Sequence, residues 1–131
     1  MFVDASAIVG ILAREIDAPN LAARVTQAER LFTSPLTVYE AVLGLARSRN
    51  MSIDEAQIAV SDFLSGIRAE IISITEEVGR DAIRAFDRFG RGRHPARLNM
   101  GDCFAYACAR SLAVPLLFKG DDFSLTDIAV A

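Results

Sequence analysis

The chain has no tryptophan, one histidine and two cysteines in 131 residues, and each shortage removes a class of chemistry. With a single histidine, a zinc site built from Cys and His lacks ligands. A Ser-His-Asp set would have to recruit His94, which lies in a Gly/Pro-rich loop. Cys103 and Cys108 fall on one helical segment at a spacing that points them to different faces, so a disulfide between them is not expected and both read as small core residues. No glycine-rich phosphate loop is present. Apolar runs are short and interrupted by charge, well below the roughly 18 to 20 residues of a membrane span. The first residues, MFVDASAIVGILAREID, lack a basic leading segment and carry Asp4 ahead of the apolar stretch, so they do not read as a signal peptide, and the cytoplasm is the expected compartment.

What is present is a chain the size of one domain, 52% hydrophobic and 24% charged, which places it among globular proteins. A single domain spanning 1–131 is expected. The formal net charge is −3. That total hides a segregation: Arg80, Arg84, Arg88, Arg91, Arg93 and Arg97 with only Asp81 and Asp87 give the segment 80–97 a balance of +4, leaving −7 for the rest. An acidic total therefore does not argue against an anionic partner.

Hydrophobic periodicity alternates short strands with helices. Strands are expected at 2–4, 30–33, 71–74 and 115–118, with a further edge strand at 126–130. Between them fall helices at 5–14, 21–28, 36–49, about 53–68, 76–89 and 99–112. Ser34-Pro35 is a helix start, Ser52 with Glu55 is a capping box, and Thr75 caps the next helix. The segment Asp17-Ala-Pro-Asn20 is expected to break the chain, Ile58 to pack in the core, and 71–74 to be a strand covered on both faces. Strand–helix–strand alternation favours a parallel sheet with helices on both faces, an α/β architecture of four or five short strands.

Acidic residues occupy selected places in this frame. Asp4 follows the first strand, Asp102 stands in the first turn of an apolar helix, and Asp121 and Asp122 follow the last strand. Glu40 interrupts the otherwise apolar helix 36–49. In open α/β sheets, ligands bind outside the carboxyl ends of the strands, where these residues converge. Each has a plain alternative: a helix cap for Asp4 or Ser6, a dipole-favoured first-turn position for Asp102, a salt bridge from Glu40 to Arg47 or another arginine, an ordinary turn for Asp121 and Asp122. Together they would crowd several carboxylates into one place, which a divalent cation relieves. Hard oxygen ligands without imidazole or thiolate select Mg²⁺ or Mn²⁺. Such an ion serves phosphoester hydrolysis, with Asp4 and Asp102 as direct ligands. Arg80, Arg84 and Arg88 repeat at i, i+4 on one helix face opposite Val78, Ala82 and Phe89, with Ile83 and Phe86 beside the buried face. The following loop adds Arg91, Arg93, Arg97 and a solvated His94, so the segment is a candidate surface for phosphate contacts or else an ordinary solvated face.

Four segments, Val3-Asp-Ala-Ser-Ala7, Glu40 in the helix after the second strand, Asn99-Met-Gly-Asp-Cys-Phe-Ala-Tyr-Ala107 and Leu116-Leu-Phe-Lys-Gly-Asp-Asp-Phe123, span the chain in order. With them the chain resembles the PIN-domain ribonucleases of the VapC type, from VapBC toxin–antitoxin pairs. The resemblance implies a three-layer α/β/α PIN-like domain and Mg²⁺- or Mn²⁺-dependent endonucleolytic cleavage of RNA. It also implies homodimerisation and inhibition by a cognate VapB-type antitoxin. It carries the family's acids onto Asp4, Glu40, Asp102 and either Asp121 or Asp122, and its hydroxyl beside the first acid onto Ser6, as a hydrogen-bonding support for Asp4. A non-catalytic RNA- or protein-binding module, or a DNA nuclease using the same acids, would carry the same residues.

Overall fold

The computed structural model describes all residues, 1–131. Four two-residue strands form one parallel sheet in the order β3-β2-β1-β4: β1 is Phe2–Val3, β2 Phe32–Thr33, β3 Glu70–Ile71 and β4 Leu116–Leu117. Phe2 is in register with Phe32 and Leu116, and Val3 with Leu117. Because side chains alternate across a strand, this register sorts the core. Phe2, Phe32 and Leu116 face a cluster completed by α5 (Glu76–Phe89) and α6 (Met100–Ser111). Val3 and Leu117 face the cluster formed by α1 (Ala5–Leu12), α2 (Ala18–Gln27), α3 (Pro35–Arg49) and α4 (Ile53–Gly66). These are the helix, sheet and helix layers of a three-layer α/β/α fold.

Local signals set the helix starts. Asp4, Ser34, Ser52, Thr75 and Asn99 occupy N-cap positions, each with its side chain accepting a backbone N–H of the first turn. Helix α3 ends at Asn50 in the left-handed conformation, φ 51°, which asparagine tolerates better than most residues. No helix is long and apolar enough to cross a membrane.

The structure corrects several local expectations. Asp17-Ala-Pro-Asn20 opens α2 instead of breaking the chain, since Pro19 lies in the first turn, where its missing N–H costs nothing. The strand expected at 71–74 is Glu70–Ile71, at the sheet edge and exposed. Ile72 and Ile74 supply the apolar signal by packing partly buried against the α5/α6 core from irregular backbone. The segment 126–130 makes one parallel bridge, Val130 with Leu116, after a short 3₁₀ turn at Phe123–Leu125. Ile58 is exposed on α4, and Ile83 and Phe86 lie outward on α5, whose inward face is Val78, Ala82, Ala85 and Phe89. His94 is only partly solvated: its ring meets Phe89 edge-on at 5.2 Å and its Nδ1 accepts the Ala96 N–H at 3.1 Å.

Candidate active site

Asp4 begins α1 at the point where the backbone leaves β1. Its N–H donates to the Leu117 carbonyl at 2.9 Å, tying it to β4, and its side chain is buried. Oδ2 accepts from the Ser6 N–H at 2.9 Å and from Ser6 Oγ at 2.5 Å. Ser6 Oγ in turn accepts the Lys119 N–H at 3.0 Å, just after β4. One serine thus fixes the rotamer of Asp4 and joins it to the neighbouring strand's exit. The capping alternative for Asp4 is therefore true in part, but capping uses only Oδ2.

Asp102 is held in a similar way. In the capping box with Asn99, Asp102 N–H donates to Asn99 Oδ1 at 2.9 Å, and Asn99 N–H donates to Asp102 Oδ2 at 2.8 Å. In both aspartates the hydrogen bonds fall on Oδ2, which leaves Oδ1 as the oxygen for an external ligand.

Glu40 projects from α3 toward the start of α6, and its carboxylate lies against the backbone of Gly101. No lysine or arginine forms an ion pair with Asp4, Glu40 or Asp102, and the salt bridge from Glu40 to Arg47 is not made. The electrostatic consequence is large. Burial, followed by the negative charges of Asp4 and Asp102, pushes the Glu40 carboxyl up to about 7. Burial also pushes Asp102 up to about 6; the Asn99 hydrogen bond opposes this, the charges of Asp4 and Asp122 add to it, and Arg91 draws it back. Asp4 is raised by burial against the opposing pull of Ser6. Three carboxylates therefore feel one another with no ion-paired cation between them, the Arg91 charge being the one that offsets them from a distance.

Of the two aspartates after β4, Asp122 acts on Asp102. Both are exposed, and the Asp121 carbonyl is engaged by Ser124. Among the arginines, Arg80 pairs with Glu76, Arg84 with Asp81, Arg88 with Asp127 and Arg93 with Asp87. Arg91 and Arg97 have no ion pair. Arg91 is the one whose charge reaches the carboxylates, held in a loop that Gly90 and Leu98 close by a bridge. Sequence reasoning missed Gly101, whose signal was a glycine immediately before the helix's acidic residue.

The donor set suits a hard divalent ion. No group of three or more His, Cys, Asp or Glu side chains is gathered closely enough to hold an ion by itself. Mg²⁺ commonly takes only one or two carboxylates and keeps several waters, so Asp4 and Asp102, each with a free Oδ1, match its demand. Cys103 adds nothing, because burial and the charge of Asp102 push its thiol up to about 11.

Comparison with known proteins gives a consistent picture. A PIN-domain family model matches residues 1–129. The chain is 40% identical to a VapC ribonuclease of Rhizobium meliloti over 97% of this chain and 98% of that one. It is 34% identical to the ribonuclease VapC of Mycolicibacterium smegmatis over 98% of both. Among solved structures, its fold resembles Mycobacterium tuberculosis VapC20, described as a sarcin-ricin loop cleaving toxin, with a TM-score of 0.78, 16% identity, and 99% and 97% of the two chains covered. It also resembles a chain of a toxin–antitoxin complex from Klebsiella pneumoniae, with a TM-score of 0.70, 16% identity, and 99% and 95% covered.

Proposed function

Because this chain belongs to the PIN-domain family of VapC ribonucleases, the toxins of toxin–antitoxin pairs, we propose that it hydrolyses RNA phosphodiester bonds at the cluster of Asp4, Glu40 and Asp102, with Asp122 on its rim. Residues 1–131 act as one PIN domain. The observation that carries the reading is the convergence of three partly or fully buried carboxylates to which no lysine or arginine is ion-paired. A fold tolerates such a cluster when a ligand compensates it.

Asp4 and Asp102 are the residues that would hold Mg²⁺ or Mn²⁺. When bound, the ion supplies Lewis-acid neutralisation of phosphate charge and activation of water. The chain's own residues do the rest. Ser6 locks Asp4, and the Asn99 capping box locks Asp102, so neither carboxylate must be ordered when substrate arrives. Glu40, whose carboxylate lies against Gly101 one residue before Asp102, is the residue to accept a proton from the attacking water and to release it afterwards. Arg91 is the cation to meet the phosphate beside the carboxylates.

An antitoxin is the expected protein partner, and a second copy of the chain is expected alongside it. Support for the antitoxin comes from the family and from the fold's likeness to a chain of a toxin–antitoxin complex.

The test is cleavage of a structured RNA by purified protein with Mg²⁺, with EDTA, and by the Asp4→Asn and Asp102→Asn variants. The expected result is cleavage by wild type with Mg²⁺ only, and by neither folded variant. Full activity in a variant, or cleavage of DNA in place of RNA, overturns the assignment.

A further inference from the structure

Away from the carboxylates, the outer groove between α5 and α6 contains a hollow of about 200 Å³ lined by Asp81, Arg84, Ala85, Arg88, Tyr106 and Arg110. Residues 81, 84, 85 and 88 form one face of α5, and 106 and 110, four apart, form the facing stripe of α6. Three guanidinium groups therefore converge on one concavity from two rigid helices. Their acidic neighbours are fewer. Arg84 pairs with Asp81 at 2.8 Å, while Arg88 at 3.0 Å and Arg110 at 3.5 Å share Asp127, which also accepts the Tyr106 hydroxyl at 2.5 Å. Three positive charges stand against two negative ones, and the single Asp127 serves two arginines and a phenol.

The carboxylates leave the hollow one net positive charge. Arg88 is further held over the Phe89 ring at 4.6 Å and Arg110 over the Tyr106 ring at 5.8 Å. Stacking on these rings narrows the conformations of Arg88 and Arg110 before a ligand arrives. Planar arginine forks converging from two sides suit a tetrahedral oxyanion better than a lysine cluster would.

We propose that this hollow holds a backbone phosphate of the RNA strand, a subsite separate from the carboxylate cluster, with Arg84, Arg88 and Arg110 as its phosphate-binding residues. The inference rests on the ribonuclease reading above. Helix α6 links the two places: Asp102 lies in its first turn and Arg110 in its last, eight residues on, or about 12 Å along the axis. That separation is within the reach of a strand of a few nucleotides engaged at Asp102. The subsite grips the strand without reading bases, since phosphate contacts position and do not specify.

The experiment measures binding of a short fluorescein-labelled single-stranded RNA to EDTA-treated protein by anisotropy across a salt series, alongside Mg²⁺-dependent cleavage. Arg84→Ala removes only an exposed ion pair and should fold as wild type. Arg84→Ala and Arg110→Ala are each expected to weaken binding by roughly three- to tenfold at low salt. The double variant should also lower the slope of log K against log salt by about 0.7, the value for one phosphate contact on a single strand. Arg24→Ala, which removes the same charge from α2 on the other side of the sheet, serves as the control and should change neither quantity. Affinity and slope equal to wild type in the double variant overturn the proposal. A second arm follows the Arg84 and Arg110 guanidinium resonances by NMR during titration with inorganic phosphate. Perturbation there without any loss of RNA affinity in the variants makes the hollow a free-anion site and overturns the RNA assignment. Loss of RNA affinity in the variants with no Mg²⁺-dependent cleavage by wild type sinks the ribonuclease reading and leaves the subsite standing.

Discussion

The Glu40 carboxylate on α3 lies so close to the backbone of Gly101 on α6 that a Cβ at Gly101 would overlap both its oxygens. Gly101 therefore holds the place in α6 where a neighbouring helix delivers its acid, one residue before Asp102. Gly101→Ala should push Glu40 aside. An ångström-scale displacement of a reacting group costs on the order of a hundredfold in rate, so kcat for RNA cleavage should fall by about that factor. Circular dichroism should stay that of wild type, because alanine is the better helix former. Wild-type kcat in this variant would show that the position of Glu40 is immaterial.

Glu40→Gln keeps the shape and removes the proton acceptor. If Glu40 is the general base, kcat should drop by roughly 10² to 10⁴. Mn²⁺ affinity measured by calorimetry should change far less than in Asp4→Asn or Asp102→Asn. Equal loss of Mn²⁺ affinity in all three would make Glu40 a metal ligand instead.

Stability of the metal-free protein should depend on pH with a definite sign. Glu40 at about 7 and Asp102 at about 6 stand above their ordinary 4.5 and 3.8, so between roughly pH 4 and 7 the folded state binds more protons than the unfolded one. Stability then falls as pH rises through this window. In EDTA, Tm should be higher at pH 5.5 than at pH 8, and Glu40→Gln should flatten the trend. Mg²⁺ should raise Tm most at pH 8, where the carboxylates are ionised. A Tm in EDTA that rises with pH would contradict the cluster's electrostatics.

Burial pushes both thiols up to about 11, and both side chains lie in the core. Native protein should therefore react negligibly with a thiol-specific disulfide reagent at pH 8, whereas denatured protein should titrate two thiols. Rapid labelling of the native state would mean that α6 opens readily.

The pair formed by Tyr106 and Asp127 ties the C-terminal segment to α6. Tyr106→Phe leaves the ring packing intact and removes one hydrogen bond to a carboxylate that is substantially exposed. Denaturant unfolding should show a loss of about 1 kcal/mol. No change would mean that water replaces the phenol at no cost.

The expected elements and the observed ones differ where two physical signals compete. Ile71 to Ile74 reads as a buried strand, yet only Glu70 and Ile71 pair, and the apolar content of Ile72 and Ile74 is spent on packing from irregular backbone. Ile83 and Phe86 follow helical spacing but face outward, because the inward stripe of α5 is completed by Ala82 and Ala85. His94 looks like a solvated loop residue until the loop folds back on Phe89.

By itself the sequence determined what depends on short-range chemistry. The caps at Asp4, Ser34, Ser52, Thr75 and Asn99 start helices through bonds within a few residues. Alternation in the two-residue strands sorts the core onto two faces, and the placement of acids at strand exits follows from both. Only the tertiary structure decided what depends on approach between distant segments. The register of β1 with β4 sets Asp4 beside Lys119 through Ser6, and the crossing of α3 with α6 brings Glu40 against Gly101. Asp122 is the one whose charge reaches Asp102, and Arg84 and Arg88 are turned toward Arg110. No local pattern encodes these meetings, because they arise from the packing of whole faces, whose geometry exists only once both core layers have closed on the sheet.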